Sequence, residues 1–186
     1  MWRPTGPHSW SRSPVAPCVV LVGVPGSGKT TVGSLLSERL HVVFRDTDRD
    51  IEESQGKSVS DIFVDSGEPT FRAFERDAVA TALREHDGVL ALGGGAVTDA
   101  ATRALLLDQP TVWLQVGASA GAHRVGLDVP RPVLLGNVRG RLAALVAERA
   151  PLYAEVARAT VDTDGRTPDE VADVVITSLG LEHTDV

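Results

Sequence analysis

The chain has 186 residues, 42% of them hydrophobic and 23% charged, with a formal net charge of −7. That size and apolar share suit one domain with one core, and the acidic balance excludes a general nucleic-acid-binding surface. A lone cysteine, Cys18, excludes an internal disulfide and any multi-cysteine zinc or iron–sulfur site.

The longest apolar run, residues 15–24, contains Pro17 and Gly23. It falls short of the roughly 20 residues that a membrane-spanning helix needs. A cytoplasmic protein of a reducing compartment is expected, with neither membrane nor nucleic acid as partner. Aromatic residues make up only 4% of the chain. The core must come from Val, Leu, Ile and Ala, which suits buried parallel strands between helices.

Residues 1–17 hold Pro4, Pro7, Pro14 and Pro17 and no acidic residue. Such proline density blocks helix and central strand, so a disordered tail is expected. Residues 18–22 form a continuous apolar run, the mark of a strand buried on both faces. In residues 31–40, Val32, Leu35, Leu36 and Leu40 recur at helical spacing. Val42-Val43-Phe44 reads as a second strand leading into Asp46-Thr47-Asp48, and residues 49–86 as helices broken at Gly56 and Gly67.

Residues 89–92 predict a third strand, ending in Gly93-Gly94-Gly95. A helix over 99–107, capped by Thr98 or Asp99, leads to a fourth strand over 111–116. A short helix over 119–125 precedes a Gly- and Pro-containing loop over 126–137. Residues 138–156 read as a helix stepped at Pro151, 159–162 as a fifth strand, and 168–181 as a helix with proline in its first turn. This alternation predicts an α/β fold, a doubly wound five-stranded parallel sheet with helices on both faces.

Ligands of such sheets bind at the carboxyl ends of the strands. The three chemically loaded segments, residues 23–30, 46–48 and 93–95, all follow strands. Three adjacent central strand tips are therefore expected to share one cleft.

Gly23-Val24-Pro25-Gly26-Ser27-Gly28-Lys29-Thr30 fits the phosphate-loop pattern G-x-x-x-x-G-K-[ST] between a buried strand and an amphipathic helix. Its backbone N–H groups and the helix N-terminus would hold an anion. Lys29 would reach the β- and γ-phosphates, and the Thr30 hydroxyl would ligate Mg²⁺. Gly26, Ser27, Gly28, Lys29, Thr30 and Thr31 are the expected ATP contacts of this segment.

The remaining motifs each admit a bland alternative. Asp46 and Asp48 could divide nucleotide and acceptor duties, or simply cap the next helix. Arg72 and Glu75, three apart, share a helix face and could bind a carboxylate or form an exposed ion pair. Arg149 could serve an anion or a helix C-terminus, and Phe63 could line a pocket or pack in the core. Three consecutive glycines cost entropy that a plain loop need not bear.

Together, Asp46-Thr47-Asp48, Phe71-Arg72-x-x-Glu75 after Gly67-Glu68, Gly93-Gly94-Gly95, Arg131-Pro132 and Arg149-Ala150-Pro151-Leu152-Tyr153 resemble shikimate kinases, over residues 18 to about 180. These are P-loop kinases of the nucleoside monophosphate kinase-like group. The resemblance implies that ATP phosphorylates the 3-hydroxyl of shikimate in chorismate and aromatic amino acid biosynthesis, with Mg²⁺ as cofactor. It implies that Asp46 joins Thr30 at the metal and that Asp48 binds the acceptor and serves as base. Phe63, Arg72, Glu75, Gly93, Gly94, Gly95 and Arg149 would bind shikimate, and Arg124, Arg166 and Pro168 the adenine end of ATP. Arg131 would meet the transferring phosphoryl group, so that Lys29, Asp48 and Arg131 form the catalytic set.

The implied organisation is a tail over 1–17, one kinase domain over 18–181 and a C-terminal tail over 182–186. Within the domain, substrate-binding helices span about 48–86 and a mobile lid about 126–137. Val133 stands where the family usually has Leu, and Gly140 weakens the start of the following helix. A monomer is expected. A gluconate kinase and a non-catalytic nucleotide-binding module are the alternatives.

Overall fold

The computed structural model describes residues 15–127 and 137–181. Five strands, β1 (Val19–Val22), β2 (Phe44–Asp46), β3 (Val89–Ala91), β4 (Thr111–Gln115) and β5 (Ala159–Asp162), form one sheet in the order β2-β3-β1-β4-β5. Every strand pair is parallel. The helices are α1 (Lys29–Leu40), α2 (Thr47–Gln55), α3 (Val59–Glu85), α4 (Ala100–Leu106), α5 (Ala118–Leu127), α6 (Val138–Val156) and α7 (Pro168–Leu179).

Alternation along the buried strands divides the core between the two faces of the sheet. Val19 and Leu21 pack with Val32 and Leu36 of α1 and Val171 and Val175 of α7. Val20 and Val22 face the other way, toward Val79 and Ala82 of α3, Leu106 of α4 and Leu142, Tyr153 and Val156 of α6. The sheet is thus wound on both faces. A satellite cluster of Ile51, Ile62 and Phe71 joins α2 to α3.

Register brings the functional strand ends level. Asp46 pairs with Ala91, and Ala91 with Leu21. The residues that follow leave three neighbouring strands at the same height, but β2 is an edge strand, so only two of the three tips are central.

Several boundaries differ from the pattern-based expectation. Val42 and Val43 precede β2, and Val43 is 68% exposed, so hydrophobicity alone did not make it strand. Pro151 does not step α6, which runs unbroken from Val138 to Val156. The helix expected over 119–125 extends to Leu127, into the segment expected to be loop. Pro17, assigned to the tail, is buried.

At the start of α6, Gly140 has a use. The Asn137 side chain accepts from the Gly140 N–H at 2.9 Å, and a Cβ on Gly140 would collide with that capping amide. Arg131, Pro132 and Val133, most of the expected lid and both chain ends lie outside the described residues.

Candidate active site

The phosphate loop joins β1 to α1 as its spacing requires. Gly28 caps α1 in the left-handed region, with φ 90, where glycine is unstrained. Gly23 is needed for space, because a Cβ there would press on the Leu114 carbonyl and the Ser27 hydroxyl. Lys29 Nζ donates to the carbonyls of Gly23 at 2.8 Å and Val24 at 3.2 Å, which folds its ammonium over the loop. Ser27 Oγ is buried without a hydrogen-bond partner among the described residues.

Thr30 Oγ1 donates to Asp46 Oδ2 at 3.2 Å, bringing the end of the phosphate loop to the tip of β2. Asp46 also caps α2 by accepting from the Asp48 N–H at 3.0 Å. The capping alternative and the ligand reading therefore use different oxygens of one carboxylate. A hydroxyl beside one carboxylate suits Mg²⁺, which keeps several waters and takes few protein ligands when phosphates are present. No cluster of three or more His, Cys, Asp or Glu that could hold a metal occurs among the described residues.

Ser27, Gly28, Thr31, Val32, Arg124, Thr163, Arg166, Pro168 and Val171 line a cavity of about 150 Å³ beside the loop. Arg124 fixes one wall. Its guanidinium donates to Thr163 Oγ1 at 3.0 Å, the Thr163 carbonyl at 2.9 Å and the Gly26 carbonyl at 3.4 Å. Pro168 stands at the first turn of α7, whose capping box pairs Thr167 with Glu170. A larger hollow of about 360 Å³, lined by residues 107–109 and 155–158, contains none of the expected site residues.

The residues expected to meet a carboxylate lie outside the cavity beside the loop. Arg72 donates to Glu75 through Nη1 and to Glu68 Oε1 through Nη2 at 2.8 Å. Its guanidinium carbon lies 5.9 Å from the Phe63 ring centre and 5.5 Å from that of Phe71. Phe63 also packs on Phe71, with ring centroids 4.6 Å apart, so Phe63 is at once a packing residue and a neighbour of Arg72.

Within the pair, side-chain exposure is 22% for Arg72 and 4% for Glu75, so this is no solvated surface bridge. Burial pushes the Glu75 carboxyl above the usual carboxylate range, against the pull of Arg72. Arg72 remains cationic: burial opposes its charge, but Glu75 and Glu68 outweigh it. Glu75 Oε1 has no hydrogen-bond partner among the described residues.

Arg149 lies within α6, not at a helix end, and is 7% exposed, which removes the helix-dipole alternative. Nη1 donates to the Gly94 carbonyl at 2.9 Å, whereas Nε is buried without a partner among the described residues. A buried guanidinium left partly unsatisfied is suited to an incoming anion.

Gly93, Gly94 and Gly95 bring these groups together. A Cβ on Gly93 would collide with carboxylate oxygens of Asp48 and Glu75. One on Gly94 would press within 3.2 Å of the Gly23 carbonyl and the Pro25 ring, and one on Gly95 would enter the Arg72 guanidinium. None of the three has positive φ, so their smallness, not their flexibility, is what the fold uses. The Gly93 N–H is spent within the protein, donating to Thr47 Oγ1 at 3.1 Å.

Thr47, fully buried, and Thr163, 2% exposed, were not singled out from the sequence. Their hydroxyls bond partners 46 and 39 residues away, which no local pattern reveals.

Comparison with known proteins places the chain among its relatives. The shikimate kinase family model matches residues 25–180. A shikimate kinase of Saccharopolyspora erythraea is 55% identical over 163 residues, covering 87% of this chain and 93% of the relative. One from Frankia casuarinae is 57% identical over 162 residues, covering 87% of this chain and 72% of the relative. The solved shikimate kinase of Acinetobacter baumannii in complex with shikimate aligns with a TM-score of 0.84 at 34% identity, over 90% of this chain and 95% of that one. A Sinorhizobium meliloti gluconokinase shares the fold, with a TM-score of 0.55 at 18% identity. Shared fold extends to several kinases, but sequence identity and the filled motifs agree on one of them: the chain belongs to the shikimate kinase family.

Proposed function

We propose that the chain transfers the γ-phosphoryl group of ATP to the 3-hydroxyl of shikimate, giving shikimate 3-phosphate and ADP, a step in chorismate and aromatic amino acid biosynthesis. One observation carries this most directly. Asp48 and Glu75, the phosphate loop and Arg72 abut successive glycines of one turn, and Arg149 grips its central carbonyl. An acid and a triphosphate bound there would lie side by side.

Arg72 and Arg149 bind the shikimate carboxylate, each offering planar N–H donors. Asp48 orients the 3-hydroxyl and takes its proton as that oxygen bonds to the γ-phosphorus. The bond from the γ-phosphorus to the bridging oxygen breaks, and ADP leaves with its electron pair. Lys29 moves from the loop carbonyls to the β- and γ-phosphate oxygens and offsets their charge. Arg124 and Pro168 bracket the nucleotide base. Thr30 and Asp46 would hold Mg²⁺, which when bound neutralises phosphate charge. The chain is taken to act as a monomer.

A coupled assay of ADP release with shikimate, gluconate or no acceptor tests the assignment. Release that depends on shikimate alone is expected. Gluconate-dependent release would indicate a different acid, and release indifferent to acceptor a nucleotide-hydrolysing module. Among the described residues no helix is long and apolar enough to cross a membrane.

A further inference from the structure

Tyr153 takes no part in the steps above, yet among the described residues it heads the fully buried side chains in size. Its ring stacks on Trp113, with centroids 5.7 Å apart and planes 25° apart, in the core between α6 and the sheet. From that apolar setting its hydroxyl reaches the Gly94 carbonyl oxygen at 2.6 Å. The same oxygen accepts from Arg149 Nη1 at 2.9 Å. Arg149 and Tyr153 are four apart on α6, hence on one face, and between them they occupy both lone pairs of one carbonyl. Burial drives the phenol far above its ordinary pKa, so it stays an O–H donor throughout the working range.

We propose that Tyr153 is a positioning residue for the phosphoryl acceptor, its hydroxyl holding the Gly94 carbonyl in register with the Arg149 guanidinium. This role rests on the kinase function proposed above and adds a residue to it. The Gly94 peptide lies between Gly93, against Asp48 and Glu75, and Gly95, against Arg72. Thr47 already pins the amide side of this segment at Gly93. Tyr153 pins the carbonyl side, and frees Arg149 from holding that carbonyl alone. Without the hydroxyl, Arg149 Nη1 holds the peptide alone, and the guanidinium whose Nε faces the acid is less firmly placed. Gly94 also abuts Gly23 and Pro25 of the phosphate loop, but the cavity lined by Arg124, Thr163 and Pro168 shares none of these bonds, so the larger effect falls on the acid.

Tyr153→Phe removes the donor and keeps the ring against Trp113. Its KM for shikimate should rise about tenfold, the scale of one lost bond to a buried carbonyl. KM for ATP should stay within about twofold. In an Arg149→Ala background, where the guanidinium is already gone, the same change should raise the shikimate KM little further, a non-additivity that plain loss of packing does not produce.

An unchanged shikimate KM, a parallel rise for both substrates, full additivity with Arg149→Ala, or a Tyr153→Phe protein that does not fold would each overturn the positioning role. Wild-type protein with no shikimate-dependent turnover would instead overturn the kinase function, and this role with it.

Discussion

Glu75 shows how a single burial changes chemistry. Its carboxyl is pushed up by desolvation more than Arg72 holds it down. Protonation therefore favours the folded state, and this contribution is present at low pH and lost as pH rises through the raised value. Glu75→Gln cannot lose it. The melting temperature of Glu75→Gln relative to wild type should thus climb between about pH 4 and pH 7, bracketing the ordinary glutamate range from below. A difference that shrinks with pH would show that the ion pair, not burial, governs the site.

On the proposed function, neighbouring residues divide by substrate. Arg72→Ala should raise KM for shikimate about tenfold or more while sparing KM for ATP, since its partners Glu75, Glu68 and Phe63 lie away from the nucleotide cavity. Lys29→Met should instead lower kcat by about 10³-fold. Steady-state titration of each substrate separates the two patterns, and equal shifts in both KM values for Arg72→Ala would contradict its placement. The expectation for Lys29 came from the phosphate-loop spacing, and that for Arg72 from the family resemblance, since its spacing to Glu75 alone also fits an exposed ion pair. Thr47 was not legible, because the distance from its hydroxyl to Gly93 depends on how β2 and β3 pair.

At the scale of elements, α3 is bent at Gly67, where φ 78 and ψ 164 fall in a region that only glycine enters freely. Pro69 then starts the second half of the helix, which carries Arg72 and Glu75. Gly67→Ala should cost about 1–3 kcal/mol of stability and raise the shikimate KM, because the bend aims Arg72 at Gly95. Chemical denaturation and steady-state kinetics check both parts; a variant as stable as wild type would contradict the strain.

Elements with strong period or end signals could be read in advance: the apolar run of β1, the first-turn proline of α7, the glycine break of α3. The errors came where tertiary context overrode local preference. Val43 is β-branched yet exposed ahead of β2, and Pro151 is absorbed within α6. Gly140, a weak helix former, leaves room for the Asn137 cap.

Across the molecule, two cores on opposite faces fix the sheet, and the sheet register fixes the cleft. Parallel topology was legible from strand–helix alternation. Strand order was not, since nothing in β2 states that it is an edge. Arg39 of α1 bridges Asp169 and Asp173 of α7, tying the phosphate-loop helix to the helix that bears Pro168. On the proposed function, the nucleotide end is supported by α1 and α7 on one face of the sheet and by Arg124 of α5 on the other, and the acid end by α3 and α6 on that second face. On that function, this division requires two ligands to fit at once, meeting at Gly94.

Calorimetric titration of shikimate into the protein, with and without a saturating non-hydrolysable ATP analogue, tests that requirement most directly. Saturable binding of one acid per chain, retained or strengthened when the analogue is present, is the predicted result. Absence of any binding, or displacement of the acid by the analogue, would contradict a shared cleft with two adjoining seats.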